Sequence, residues 1–501
     1  MDLGVSRALH GPAPQSTSGS PFHPVSSPTG SDLHPASRGG AGVLLLPPHH
    51  RSPVSILIHP IRPRPRPRIS SPRSPLVPNP ILRAEVAPGR TADAAEELYR
   101  LRDTFFPRDP VEKAAALRAL ADNALAILDS LPPEQRKTPQ QRAVYEFLRG
   151  KILDVFPDYH KEAEDHLSKA VKLNPSLVDA WLCLGNCIWK KGDLASAMNC
   201  FSLALSKGAD KKILCQLSML ERSMAQGSEG QAQLVEESIK HAKEAVMLDI
   251  RDGNSWYNLG NAYLTSFFVS GSWDHMKLHH SVKAYQNAEK DETTKCNPDL
   301  YYNCATADKY LENYERALRG FEAAALKDPG LGADTEVQKI ISLLDKLDGA
   351  MKGQLRSKRL ASSVSSLSEV NIKSSHKKAT IGILSEGLNK TVAVLGKVVL
   401  LIRHDNIAPM YYLTCDLDQS YFILSVYGLR NEAIKEGDRV ALLDPYYRIL
   451  DISWKEQRYQ FKSIRVDFPE QILVNEKAPP PHHVMPFKTV PRQRTFIHAQ
   501  D

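Results

Sequence analysis

Apolar residues recur at helical spacing from about residue 92 to 351, and beyond 391 they fall into short runs with the character of strands. The most regular helical stretch is 165–206. Its first half sets Trp181, Leu184 and Gly185 on one face, and its second half sets Ala197, Phe201 and Ala204 on another. Two antiparallel helices packed closely explain this pattern: large residues fill the seam and small ones sit where the backbones cross. An ordinary amphipathic hairpin would account for the apolar positions but not for small residues at both crossing points.

The pattern repeats. Phe147 stands 34 positions before Trp181, and its second helix carries Ala163, Leu167, Ala170 and a terminating Pro175. Trp256, Leu259, Gly260 and Tyr263 open another copy 75 positions after Trp181. That gap predicts a degenerate copy over 211–250, with Ser238, Ala242 and Ala245 as its small residues. The Trp256 copy resumes at Ser281, Tyr285 and Ala288 after extra residues around 270–280. A last copy over 299–329 carries Tyr301, Ala317, Phe321, Ala324 and Pro329. A 34-residue period with this signature is that of tetratricopeptide repeats, whose helix pairs stack into one continuous core. Helices over 92–105 and 111–131 precede the array as a cap. A helix over 336–351, with Ile340, Ile341, Leu344 and Leu347 on one face, closes it.

The strand-like region begins with 391–402, interrupted by Gly396, which suggests a bend or bulge. Runs at 410–415, 421–427, 439–443, 448–454 and 461–466 follow. A long bent first strand and Gly437–Asp438 before the 439–443 run suit an OB-type barrel over 377–475; a generic small β sandwich is the alternative. The expected fold is therefore multidomain: an all-α repeat superhelix, then a small all-β OB-type barrel. The predicted segments are a disordered tail at 1–91, the array at 92–351, a basic Ser-rich linker at 352–376, the barrel at 377–475 and a loose tail at 476–501.

Charge sharpens this division. The formal net charge is +7, and residues 1–84 supply all of it, with nine Arg, no Lys and two Asp. The remainder is balanced, which argues little for a nucleic-acid-binding core. The tail holds 17 of the 35 prolines and the run RPRPRPR, so it should stay extended and unpacked. Three readings stand for it: dispensable disorder, an organelle transit peptide directing the chain to plastid or mitochondrion, or a docking motif. Without a transit peptide, cytoplasm and nucleus are expected. No apolar run approaches the length of a membrane span. The seven cysteines are scattered, without a CxxC pair, and read as reduced thiols.

Catalytic motifs are missing. There is no HExxH, GxSxG, P-loop or dinucleotide glycine pattern, and the adjacent His pairs do not share a ligand geometry. The expectation is a non-enzyme with no cofactor and no metal. What remains is a binding groove. The first helices of such repeats line the concave face. Asn186 and Asn261, each five residues after a signature Trp, fall there, and an amide can clasp an extended peptide backbone. Lys190, Trp189 and Tyr257 would add a charge and apolar walls. On the barrel, Tyr411, Tyr421 and Tyr427 could stack bases, but 377–475 holds 13 basic and 12 acidic residues, too balanced for a strong phosphate-tracking groove.

The phrases SKAVKL, WKKGD, CFSLAL, QLSML, DGNSWYNLGNAYL, AYQNAEK, NPDLYYN and LGKVV, spread over about residues 92–475, resemble the family of tetratricopeptide repeat protein five, also called Strap. The resemblance implies a non-enzymatic adaptor with two roles: a stress-response transcription cofactor bridging coactivators, and a ribosome-associated reader of the nascent tubulin N-terminus that triggers decay of tubulin mRNA. It implies that Arg222, in LSMLER, faces the Glu of that peptide and that Asp299, in NPDLYYN, faces its Arg. It also implies RNA contact through Arg356, Lys358 and Arg359, where Ser357 and the uncharged stretch 360–363 thin the charge.

Overall fold

The computed structural model describes residues 80–485 except 226–229, 272–273, 354–363, 373–374 and 407, with side chains from residue 89 onward. The N-terminal tail up to residue 79, Arg356, Lys358, Arg359 and the last sixteen residues lie outside the described residues.

Helices come in antiparallel pairs: α1 (Pro80–Thr104) with α2 (Pro110–Asp129), α3 (Pro139–Leu153) with α4 (Lys161–Leu173), and α5 (Val178–Lys190) with α6 (Leu194–Leu205). Next come α7 (Lys211–Met224) with α8 (Gln231–Leu248), α9 (Gly253–Val269) with α10 (His275–Ala288), and α11 (Pro298–Tyr310) with α12 (Tyr314–Lys327). A closing helix, α13 (Ala333–Lys352), packs on α12. Polar caps fix the starts. Asp109, Asp193, Asp210, Asp252, Asp274 and Asn297 each accept a hydrogen bond from the first-turn backbone of the helix they precede.

The small residues do what the spacing required. A Cβ at Gly185 would run into the Phe201 ring, and one at Gly260 into the Tyr285 ring. In the degenerate pair, Ser218 and Ser238 take the crossing and hydrogen-bond to each other at 3.0 Å. In the last pair, Ala305 meets Gly320. The signature tryptophans also act alike: Trp181 Nε1 donates to the Pro175 carbonyl at 2.9 Å, and Trp256 Nε1 to that of Ile250 at 2.8 Å.

In the fifth pair α9 runs to seventeen residues and ends at Val269, before the expected extra residues, and α10 begins within them; Phe267, Phe268 and His275 lie on the barrel side of the pair. Phe267 and Phe268 meet Tyr310 edge-on, and His275 meets Tyr427 at 4.3 Å between ring centroids.

The sheet contains β1 (Lys377–Ala379), β2 (Gly387–Leu388), β3 (Val392–Ile402), β4 (Met410–Asp416), β5 (Tyr421–Val426), β6 (Arg439–Leu443), β7 (Tyr446–Trp454), β8 (Gln457–Val466) and β9 (Ile472–Val474). The short strands β1, β2 and β9 were not legible in the sequence. They are too brief to show a period, and β9 matters most. β5 pairs with β8 in parallel, while β6 pairs with β3 and with β9 in antiparallel fashion. The chain from β8 through the turn at Pro469–Gln471 into β9 therefore runs from one side of β5–β4–β3 to the other, and β7 with β2 extends the sheet beyond β8, giving a half-barrel of the OB type. The register irregularity on β3 falls between Val398 and Leu400, just past Gly396, where a Cβ would meet Thr414 Cγ2 at 2.5 Å.

Array and barrel share one apolar core. Tyr302, Tyr314, Phe321, Leu344 and Leu347 pack with Tyr411, Leu413, Ile423, Trp454 and Phe461. Tyr411 bonds to the Tyr314 hydroxyl, and the Tyr427 hydroxyl donates to the Tyr310 carbonyl at 2.6 Å. This corrects the reading of Tyr411 and Tyr427 as exposed base-stacking platforms: both are fully buried, Tyr411 beneath α11 to α13 and Tyr427 beneath Tyr310 of α11 and His275 of α10. Tyr421 is half-buried at the edge of the same cluster. The second half of the linker is packed as well, with Val364 and Leu367 on Cys415 and Val370 on Leu395 and Ala441. Residues 476–485, expected to be loose, return to the barrel, where Met485 N donates to the Gly428 carbonyl at 2.9 Å and Arg430 N to that of His483 at 2.8 Å.

Candidate functional site

The first helices α7, α9 and α11 lie side by side and a run of polar side chains crosses them, while α5 shares an apolar cluster with α7 through Leu182, Ile213 and Leu217. Arg222, in the last turn of α7, is the centre of this run. The residue is only 9% exposed. Nη1 donates to Ser218 Oγ at 2.8 Å, to the Ser218 carbonyl at 3.1 Å and to Ser238 Oγ at 3.0 Å. Nη2 donates to Asn258 Oδ1 on α9 at 2.8 Å. All these acceptors are neutral, and among the described residues Arg222 forms no ion pair. Burial pulls its pKa down to about 10, still far enough above neutral that the charge persists.

On α9, Tyr257 and Asn261 continue the run towards α11. Asn303 Nδ2 donates to Asn261 Oδ1 at 3.0 Å and to the Tyr257 hydroxyl at 3.3 Å, and the Tyr285 hydroxyl donates to Asn261 Oδ1 at 2.7 Å. Asp299 is half-buried in the first turn of α11, after Pro298, where the helix N-terminus favours a carboxylate. The Tyr257 hydroxyl is driven above its ordinary pKa first by burial and then by the Asp299 carboxylate, while Arg222 acts on it in the opposite sense. Tyr257 therefore lies in the field of both charges.

Two sequence expectations change at this point. Lys190 is not a cation facing a ligand. Its ammonium pairs with Asp154 at 2.9 Å, donates to the Phe156 carbonyl at 2.8 Å and also meets the Asp154 carbonyl, satisfying the C-terminal end of α3. Asn261 keeps its place on the face, but its oxygen already accepts two internal bonds, so it cannot also accept from a peptide N–H in the same way. Asn186 stays buried with Oδ1 unpartnered among the described residues. Gln216, Asn258 and Asn303 were missed. The signal was present: each precedes a small crossing residue, Ser218, Gly260 or Ala305, by two positions.

Comparison with known proteins agrees with this architecture. Residues 375–488 match the Tetratricopeptide repeat protein 5 OB fold domain. Tetratricopeptide repeat protein 5 of Homo sapiens is 35% identical over 405 residues, covering 77% of this chain and 92% of that protein. The Mus musculus protein is 36% identical over 402 residues, covering 76% and 91%. A solved structure, that of YrrB, described as a TPR protein with an unusual peptide-binding site, aligns at 18% identity and a TM-score of 0.30 over 41% of this chain and 95% of its own. Capped helix repeats joined to a matched OB domain, with identity sustained across both, place the chain in the tetratricopeptide repeat protein 5 family, as a repeat protein of the protein-binding adaptor type.

Proposed function

We propose that the chain is a peptide-reading adaptor whose α5–α7–α9–α11 face takes an extended segment carrying adjacent Arg and Glu, with the Glu on Arg222 and the Arg on Asp299. The occupant in this reading is the N-terminal segment of nascent tubulin, and the consequence is recruitment of decay factors to tubulin mRNA at the ribosome. The cationic stretch with Arg356, Lys358 and Arg359 would supply the RNA contact. The observation that supports the reading best is the buried, charged Arg222, held by four neutral acceptors and, among the described residues, by no carboxylate. A guanidinium taken from water without an anion is costly, and a ligand carboxylate would offset that cost.

Titration of a tubulin N-terminal peptide against wild type and Arg222→Gln tests the reading. The substitution should weaken binding by about 2–5 kcal/mol, the range for truncating one member of a buried charged pair. A peptide with Gln in place of its Glu should bind both proteins equally. Equal affinity of wild type and Arg222→Gln for the unmodified peptide would remove Arg222 from the site. Affinity purification with and without RNase separates this role from a nuclear one: ribosomal proteins lost on RNase treatment support the proposal, and coactivators retained in both samples oppose it.

A further inference from the structure

The repeats set a polar side chain two residues before each crossing residue from α7 onward, and two of these side chains reach back to the preceding first helix. Asn258 accepts from Arg222 of α7, and Asn303 donates to Asn261 of α9. Gln216 holds the same register on α7, and on α5 Asn186 follows Gly185 just as Asn261 follows Gly260. There the pattern breaks. In the Asn303–Asn261 pair an N–H meets an oxygen at 3.0 Å. Gln216 and Asn186 are both buried, 4% and 9% exposed, and Gln216 Oε1 and Asn186 Oδ1 have no hydrogen-bond partner among the described residues. Asn258 Nδ2, beside Arg222, is likewise buried and unpartnered. Buried amide oxygens require donors. A carboxylate would be repelled by them and an apolar side chain would leave them unsatisfied, so the chemistry that fits is a row of N–H groups.

We propose that Gln216 Oε1 and Asn186 Oδ1 accept main-chain N–H bonds from the bound peptide beyond its acidic residue, so that this face reads an extended backbone and its direction as well as two charges. The inference rests on the peptide-reading role above. The order of the helices carries the direction: Asp299 lies on α11, Arg222 on α7, and the two acceptors on α7 and α5. A peptide with Arg before Glu therefore runs its following residues towards α5. Proline or any other residue lacking an N–H is excluded there, a selectivity that charge pairing alone does not produce.

The test is a backbone scan on the full chain. A labelled peptide with adjacent Arg and Glu is N-methylated at one amide at a time after the Glu, and binding is read by fluorescence anisotropy. At one or two positions N-methylation should weaken binding to wild type about tenfold, as the loss of a buried hydrogen bond does. At the amide that meets Gln216, the same N-methylation should change binding to Gln216→Leu by less than about twofold, while the amide that meets Asn186 keeps its full effect. Gln216→Leu removes an unpaired buried amide, so its melting temperature should match or exceed that of wild type. A flat N-methyl scan, with Arg222 still distinguishing Glu from Gln in the peptide, overturns this inference and leaves the charge reading standing. Wild-type affinity in a well-folded Gln216→Leu does the same. Failure of the unmodified peptide to bind removes both.

Discussion

Glu312 is where the array and the barrel are held together electrostatically. It lies in the turn between α11 and α12 with its side chain fully buried and its backbone at φ +60°. One carboxylate oxygen pairs with Arg448, accepts from Ser425 Oγ at 3.3 Å and lies 3.8 Å from Arg465 Nη1. Arg465 and Arg448 also donate to the neighbouring Leu311 carbonyl, at 3.2 and 3.4 Å. Glu312→Ala strands Arg448, whereas Arg465 keeps Asp467 at 2.6 Å. Removing one partner of a buried pair costs about 3–5 kcal/mol. Alanine also retains the left-handed backbone cost of about 1 kcal/mol, which Glu312→Gly relieves. Urea unfolding followed by tryptophan fluorescence, with Trp454 reporting from the interface, should therefore rank wild type above Glu312→Gly and Glu312→Gly above Glu312→Ala. A combined Glu312→Leu/Arg448→Met should recover most of the loss, because nothing charged is then left unpaired. A loss below about 1 kcal/mol for Glu312→Ala, against the 3–5 expected, would refute the reasoning.

The same interface should be acid-sensitive. His275 Nδ1 lies 3.1 Å from Asp467 but out of line for a hydrogen bond, and burial, then Arg465, depress its pKa to about 2, so the folded ring is neutral. The unfolded ring titrates near pH 6.5, so its contribution is complete above that pH and declines below it, by about 2 kcal/mol at pH 5. Melting curves at the two pH values should show this slope in wild type and lose it in His275→Phe. His241 behaves oppositely. The Glu221 carboxylate raises its pKa, so the stability it adds is full below pH 6.5 and is lost as pH rises through the raised value, a trend that His241→Gln should abolish in thermal melts. Gly185→Ala should destabilise by about 1–3 kcal/mol in chemical denaturation despite better helix propensity, because its Cβ overlaps the Phe201 ring. Tyr427→Phe should cost about 1–2 kcal/mol in the same assay by orphaning the Tyr310 carbonyl.

The helix pairs were legible in the sequence because their determinants are local and repeated. Trp181, Gly185, Ala197 and Phe201 each specify a contact within one pair, and the next copy states the same rule again. The barrel strands were legible for the same reason where they were long enough to show their character. Arg222 and Asp299 could be proposed from motif resemblance. Tertiary structure decided the rest, because each remaining answer depends on which distant segment comes to lie opposite. Lys190 looked like a ligand-facing cation until Asp154, thirty-six residues away, was seen to take its charge. Tyr411 and Tyr427 looked like platforms until α11 to α13 covered the first and α10 and α11 the second. Whether a polar side chain is spent inside the protein or left for a partner is a question of pairing across the fold. Asn261 and Asn186, five residues after matching tryptophans, received opposite answers: the first has Asn303 and Tyr285 as donors, and the second has none among the described residues.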